Sequence, residues 1–290
     1  MNKIKDILTL CRVEQYIKNL FVFAPLFFSF NFTYENIYYS IITFILFCIL
    51  ASSIYILNDI LDVNEDRLHE IKKNRPIAIK TISSDFGIKL SLIFLLISLS
   101  LSYLINLYVS IIFIIYFIIN ILYSYKLKHI PIIDITIIST GFILRLYAGG
   151  YAINEMITYW IIIMTFILAF FIALAKRRDD VFMLSKGYMT RKSIDGYNLK
   201  FINISLVVIP FLIIILYLAF TFDNDVILKF NTKYLWTTTV FVFLGLFRYV
   251  YLIFYKNLSH DPTKLFLSDK YMQFIIVSWL SMFYILVKVI

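Results

Sequence analysis

Apolar residues along this chain come in long unbroken runs, not in alternation with polar ones. Nine stretches, at about 19–32, 37–57, 87–106, 108–124, 131–153, 157–175, 201–222, 234–255 and 272–289, approach the roughly 20 residues that a helix needs to cross a hydrocarbon layer about 30 Å thick. Backbone amides in lipid must be satisfied within their own segment, and barrel strands would show ten-residue alternation, so each run predicts a membrane-spanning α-helix. The first run is short for a span and the fifth is polar for one. The expected fold class is an all-α integral membrane protein of nine transmembrane helices, one domain over residues 1–290, whose longest polar stretches, about 58–86 and 176–200, are loops.

Composition sharpens this picture. At 61% hydrophobic and 19% aromatic, the 290 residues are too apolar for a soluble domain. Of the 27 Lys and Arg residues, 21 fall on one side of the expected membrane once the N-terminus is placed inside, so the positive-inside rule makes that side cytoplasmic and the protein a multi-pass protein of the cell (inner) membrane. The net charge of +9 then faces anionic lipid headgroups and requires no nucleic acid. No small-residue cleavage site follows the first run, so no cleaved leader is expected. Cys11 and Cys48 suggest neither a disulfide nor a thiolate metal site, and His69, His129 and His260 lack the i, i+4 pairing of a zinc helix.

Charge is densest just after the second run. If that helix continues, Asp59, Asp62 and Asp66 fall at i, i+3 and i+7, with Asn58 one turn before Asp62, so four oxygen-bearing side chains share a face. Hard oxygen ligands in such a pattern suit magnesium, which binds proteins through one or two carboxylates together with substrate phosphates. The predicted ligand is a magnesium-bound diphosphate, with Asp59, Asp62 and Asp66 as catalytic metal ligands and Arg75 close behind. A second polar stretch opens with Lys176, Arg177 and Arg178, three phosphate-binding candidates, and continues with Asp179 and Asp180, two further candidate metal ligands. The opposing reading is that these cations anchor the span at its interface, which leaves Asp179 and Asp180 unexplained.

The fifth run carries Asp134 and Arg145, which lie on one side of a helix but roughly 16 Å apart along it, too far for a direct pair. Ionisable residues at membrane depth face a cavity or one another. Two roles are open for Arg145, holding an anionic substrate and bracing a neighbouring helix. Tyr123, Lys126 and Lys128 add donors before that run, with interfacial anchoring as the bland alternative.

The pattern Asn-Asp-x-x-Asp-x-x-x-Asp at Asn58–Asp66, followed by Arg75-Pro76, resembles the first aspartate-rich motif of the UbiA superfamily of intramembrane prenyltransferases. Within it, Gln15–Asn19, Asn74–Ala78, Leu127–Asp134, Arg145–Gly150, Ala173–Arg178, Asp195–Tyr197, Asp261–Thr263 and Ser268–Lys270 are similar to the branch of decaprenyl-phosphate phosphoribosyltransferases. The chain departs from aromatic prenyltransferases in having Asp179-Asp180 in place of a fuller second DxxxD motif. The resemblance implies a nine-helix bundle with a cytoplasm-facing polar cavity and Mg2+ as cofactor. It further implies phosphoribosyl diphosphate as donor and a polyprenyl phosphate lipid as acceptor. Lys18, Asn58, Arg75, Tyr123, Lys126, Lys128, Arg145, Lys176, Arg177 and Arg178 are then the candidates to bind substrate phosphates. Prenyl transfer to an aromatic or other small acceptor remains the alternative within the superfamily. Transport is the alternative outside it, although no inverted repeat or pair of broken helices is evident.

Overall fold

The computed structural model describes residues 3–68, 72–185, 196–255 and 262–288. Among them every regular element is helical. Eight helices are long and apolar enough to cross a membrane: Tyr34–Leu61, Ser84–Ile105, Leu107–Tyr125, Ile133–Ala152, Tyr159–Leu184, Leu199–Phe222, Leu235–Tyr255 and Lys270–Lys288. They coincide with the second to ninth expected runs. The first run behaves differently. Val13–Phe23 is a 3-10 helix that hands over to a short α-helix, Ala24–Ser29, with Pro25 in its first turn. The first run is not among the helices long and apolar enough to cross a membrane, because it is split into these two shorter pieces.

The chain divides into two compact units, Met1–Ile162 and Ile163–Ile290. In the first, α1 (Lys3–Cys11) precedes the 3-10 segment, and α2 (Ala24–Ser29) leads to the long α3 (Tyr34–Leu61). Thr33 caps α3 by accepting a hydrogen bond from the Asn36 amide at 3.2 Å. Helices α4 (Val63–Leu68), α5 (Ser84–Ile105), α6 (Leu107–Tyr125) and α7 (Ile133–Ala152) complete the unit. α3 packs most extensively on α5, and small hydroxyl residues make this possible. Ser53 donates to the Ser91 carbonyl at 2.9 Å and Ser91 to the Ser53 carbonyl at 3.0 Å, so both hydroxyls are satisfied where no water can reach. Phe47, Phe113, Leu50 and Val109 fill the core that α3, α6 and α7 enclose. Gly149 on α7 meets the 3-10 segment so closely that a Cβ there would lie 2.0 Å from the Val22 carbonyl oxygen.

The second unit takes most of α8 (Tyr159–Ser185), then α9 (Leu199–Phe222), α10 (Asn224–Phe230), α11 (Thr239–Tyr255), α12 (Pro262–Ser268) and α13 (Lys270–Lys288). The expected loop at 176–200 is helical over its first part, since α8 runs on through the charged residues to Ser185. No helix breaker occurs between Ala173 and Ser185, and Lys and Arg are good helix formers, so charge alone does not end the helix. Residues 186–195, with Lys186, Arg191, Lys192 and Asp195, lie outside the described residues, as do His69, His260 and Asp261, and the stretch ends in the start of α9.

Candidate active site

The acidic motif sits where α3 ends. The helix stops at Asp62, whose backbone leaves α geometry (φ −92°, ψ 7°), and α4 resumes one residue later. The break is small. The Asp62 amide still donates to the Asn58 carbonyl at 2.9 Å and the Asp66 amide to the Asp62 carbonyl at 2.8 Å, so the expected i, i+4 register survives across it. All three carboxylates are buried, Asp59 to 2% exposure, Asp62 to 8% and Asp66 to 1%. Buried charges of one sign are costly unless opposed, and here each is opposed by a cation.

Arg75 bridges two of them, its Nη1 lying 3.0 Å from Asp59 Oδ1 and 2.5 Å from Asp66 Oδ2. Arg12 makes a second contact to Asp59 Oδ1 through Nη2, with its guanidinium 4.9 Å from the centre of the Tyr55 ring. Lys72 stands 4.0 Å from Asp66 Oδ1. Asp62 turns to a different partner, Lys128, which is buried in the linker after α6. Burial, and then repulsion from Arg12, pushes the Arg75 guanidinium below its ordinary pKa, while Asp59 and Asp66 pull it back. An arginine stays charged throughout, so the result is a partly desolvated cation held between two acids.

Two residues next to this cluster hold left-handed backbone without being glycine, Arg12 at φ 51° and Ile132 at φ 68°. Each such conformation costs about 1–3 kcal/mol and persists only where its surroundings enforce it. Arg12 is the hinge between α1 and the 3-10 segment, and Ile132 closes the linker that carries Lys128, so the strain lies where cations are steered onto carboxylates.

Among the described residues no group of three or more His, Cys, Asp or Glu side chains is arranged as a ready metal site. The carboxylates point at cations instead. The donor set nevertheless fits magnesium, because it consists of hard carboxylate oxygens and because Asp66 Oδ1 is buried without a hydrogen-bond partner.

The other expected residues differ in burial and in partners. Asn58 is half-buried beside Asp59, and Lys18 and Tyr123 are half-buried, while Lys126 is exposed at the end of α6. Arg145 is buried at 4% exposure and belongs to a separate cage. Its Nε donates to Asn19 Oδ1 at 2.8 Å, Nη1 to the Gly141 carbonyl at 2.6 Å and Nη2 to the Tyr116 hydroxyl at 2.9 Å. Phe47, Tyr116 and Phe142 present their rings to it at 5.0, 5.0 and 5.2 Å. Of the two roles open for Arg145, bracing is the one these contacts describe. Asp134 is fully buried, as its interior placement required.

In the second unit Lys176 is exposed, and the buried Arg177 pairs with Asp180 one turn along α8 at 2.6 Å. Asp179 is buried at 8% exposure. Arg178 Nε donates to Asn203 Oδ1 on α9 at 2.9 Å and Nη1 to the Ile253 carbonyl on α11 at 3.3 Å, which joins three helices. Two members of the acidic cluster, Arg12 and Lys72, were not among the expected site residues. The one hint in the sequence is that Arg12 lies three residues before Gln15–Asn19.

Residues 21–274 match the family described as the UbiA prenyltransferase family. A protein of Mycolicibacterium smegmatis described as decaprenyl-phosphate phosphoribosyltransferase is 26% identical over 97% of this chain and 92% of its own length. One of the same description from Corynebacterium glutamicum is 31% identical over 73% of this chain and 66% of its own. Among solved structures, a UbiA homologue from Archaeoglobus fulgidus bound to DMAPP and Mg2+ superposes with a TM-score of 0.71 at 18% identity, covering 98% of this chain and 100% of that one. The apo structure of a UbiA homologue from Aeropyrum pernix gives 0.63 at 14% identity, with 97% and 98% covered.

Proposed function

We propose, on the premise that the chain belongs to the UbiA prenyltransferase family and is an integral membrane transferase, that it moves a 5-phosphoribosyl group from phosphoribosyl diphosphate to a polyprenyl phosphate and releases pyrophosphate. The observation that carries this reading is the excess of cations at one acidic motif. Four cations, Arg12, Lys72, Arg75 and Lys128, stand against three buried aspartates. A prenyl diphosphate offers one diphosphate and an apolar tail, whereas phosphoribosyl diphosphate adds a 5-phosphate a sugar's width away, and the acceptor brings another. The names of the relatives point the same way.

Asp59, Asp62 and Asp66 are the residues that would hold magnesium, which when bound supplies Lewis-acid stabilisation of the departing pyrophosphate. The chain's own groups do the rest. Arg12 and Arg75, about one-fifth exposed, turn from the carboxylates to phosphate oxygens when the donor arrives. Lys128 is released from Asp62 to a phosphate in the same way. The bond from ribose C1 to the diphosphate oxygen breaks, and one from C1 to an acceptor phosphate oxygen forms. The acceptor oxygen is already anionic, so no general base is needed, and positioning together with charge neutralisation supplies the rate. The site lies on the cytoplasmic face of the cell membrane in this reading. Cys11 and Cys48 are both buried, so a cysteine placed at Asn224 should react with a membrane-impermeant reagent in intact cells while one at Lys73 should not.

Ligand protection tests the donor. In magnesium, phosphoribosyl diphosphate should raise the melting temperature of the purified protein well above the effect of pyrophosphate. Replacing Arg12 and Arg75 with Gln should weaken that protection tenfold or more. If a prenyl diphosphate protects and phosphoribosyl diphosphate does not, the prenyl-transfer alternative takes its place.

A further inference from the structure

A groove of about 340 Å³ opens on the second unit between α9 and α11, lined by Asn203, Ile204, Val207, Val208 and Phe254. Its walls are apolar, as expected of a span facing lipid. Ile204 is 55% exposed and Val208 56%, and neither needs a protein partner in a bilayer. What sets the groove apart is the charge at its head. Asn203 receives the Arg178 Nε–H, and the Arg178 guanidinium lies 4.7 Å from the Phe254 ring centre, so two lining residues are also the residues that hold Arg178 in place.

The hydrogen bonds of Arg178 leave it with capacity for an anion. A guanidinium carries five N–H donors, and here Nε–H goes to Asn203 and one Nη1–H to the Ile253 carbonyl, which leaves three. No carboxylate among the described residues lies within ion-pair distance of it. Asp179 attracts it only at longer range. The neighbouring cations are not equivalent, since Arg177 is buried on Asp180 and Lys176 is exposed. Depth also fits a lipid headgroup. Tyr251 and Tyr255 stack at 5.2 Å in the last turn of α11, where Tyr255 is 79% exposed, and tyrosines of this kind mark the membrane interface. Val207 and Val208 lie one turn further along α9 than Asn203 and Ile204, about 6 Å deeper into the apolar layer.

We infer that this groove binds one anionic phospholipid of the phosphatidylglycerol class, its phosphate on Arg178 and one acyl chain along Ile204, Val207 and Val208. Charge chooses the class. Arg178 and the exposed Lys200, one turn before Asn203 and Ile204 on the same face of α9, put two cations at this end of the groove, which favours a lipid of net negative charge over a zwitterionic one. This lipid is distinct from the polyprenyl phosphate acceptor of the proposed reaction, and its binding stands or falls independently of that reaction.

The test uses the full chain, delipidated in detergent and titrated with short-chain phosphatidylglycerol, matched phosphatidylcholine or glycerol phosphate, with the melting temperature as readout and native mass spectrometry to count bound lipid. Phosphatidylglycerol should bind once and stabilise, and the other two should not. Val208→Trp fills the groove from its exposed side without touching packed residues, and should raise the phosphatidylglycerol concentration needed at least tenfold. Arg178→Gln should do the same, if it remains folded after losing its bridges to α9 and α11. Equal stabilisation by phosphatidylcholine, or a wild-type response from Val208→Trp, overturns the site. Displacement of phosphatidylglycerol by a polyprenyl phosphate at lower concentration overturns the choice of this lipid and assigns the groove to the acceptor.

Discussion

Two groups of charge in the first unit are built on opposite plans. At the end of α3, Asp59, Asp62 and Asp66 meet Arg12, Arg75, Lys72 and Lys128, with Arg75 shared between two acids and both arginines about one-fifth exposed. Twelve residues earlier on the same helix, about 18 Å along it, Phe47 helps to enclose Arg145, a buried cation whose acceptors are all neutral. Charges around Asp59 and Asp66 can exchange partners at modest cost, because Arg12, Arg75 and Lys72 reach solvent and each of these two acids has two cations near it, whereas Asp62 has the buried Lys128 alone. Arg145 cannot exchange partners. Two of its three hydrogen bonds tie α7 to α6 and, through Asn19, to the 3-10 segment, and the third closes on Gly141 of its own helix. A buried charge in this molecule is therefore not by itself a candidate site, since Arg145 is fully committed to neutral acceptors while the cations at Asp59 and Asp66 share their partners.

The largest effect should come from the group at the end of α3. Asp59→Asn and Asp62→Asn each remove a negative charge at the leaving group, which should cost several kcal/mol of transition-state stabilisation and reduce turnover by at least 100-fold. Thermal melting in detergent should stay near wild type for Asp59→Asn, whose partners Arg12 and Arg75 are partly exposed, and should fall for Asp62→Asn, which leaves the buried Lys128 without its carboxylate. Activity within threefold of wild type for both variants would remove the aspartates from the site. Arg145→Met should invert the Asp59→Asn pattern. It leaves the Asn19 Oδ1 and the Tyr116 hydroxyl without the Arg145 donor inside the bundle, at about 2–4 kcal/mol, so the melting temperature should fall by several degrees. Arg145→Lys should recover only part, because an ammonium cannot reproduce the planar fork that spans three fixed acceptors. A melting temperature unchanged in Arg145→Met would mean that the cage braces nothing.

A smaller effect sharpens the contrast from the cation side. Arg75→Gln removes one charge-assisted contact, worth about 1.5–3 kcal/mol, and should raise the KM for the donor by about tenfold while changing kcat less. An equal fall in kcat with KM unchanged would place Arg75 at the reacting centre and not at a bound phosphate.

Much of this was legible from the sequence, and the misses share a cause. Hydropathy located eight spans because lipid imposes a length and an apolar surface on each, and the Asp spacing located the motif because a helix enforces i, i+3, i+7. The 3-10 coil at Val13–Phe23 was not legible, since its polar Asn19 is buried for the sake of Arg145, a partner 126 positions away. The Asp62–Lys128 pair spans 66 positions and was hidden for the same reason. Arg12 reaches Asp59 only because its backbone adopts left-handed geometry, which a nonglycine residue gives no warning of. At Lys176–Asp180 the charges read as a loop, but local propensity kept the helix going.

The central claim is that the cation-rich acidic site transfers a phosphoribosyl group to a lipid phosphate. The most direct measurement incubates the purified full chain with magnesium, phosphoribosyl diphosphate labelled in the ribose and a polyprenyl phosphate, then partitions the products between water and organic solvent. Label should appear in the lipid phase, depend on the polyprenyl phosphate and be lost with Asp59→Asn. Label confined to the aqueous phase, together with prenyl transfer from a labelled prenyl diphosphate to a small acceptor, would contradict the claim.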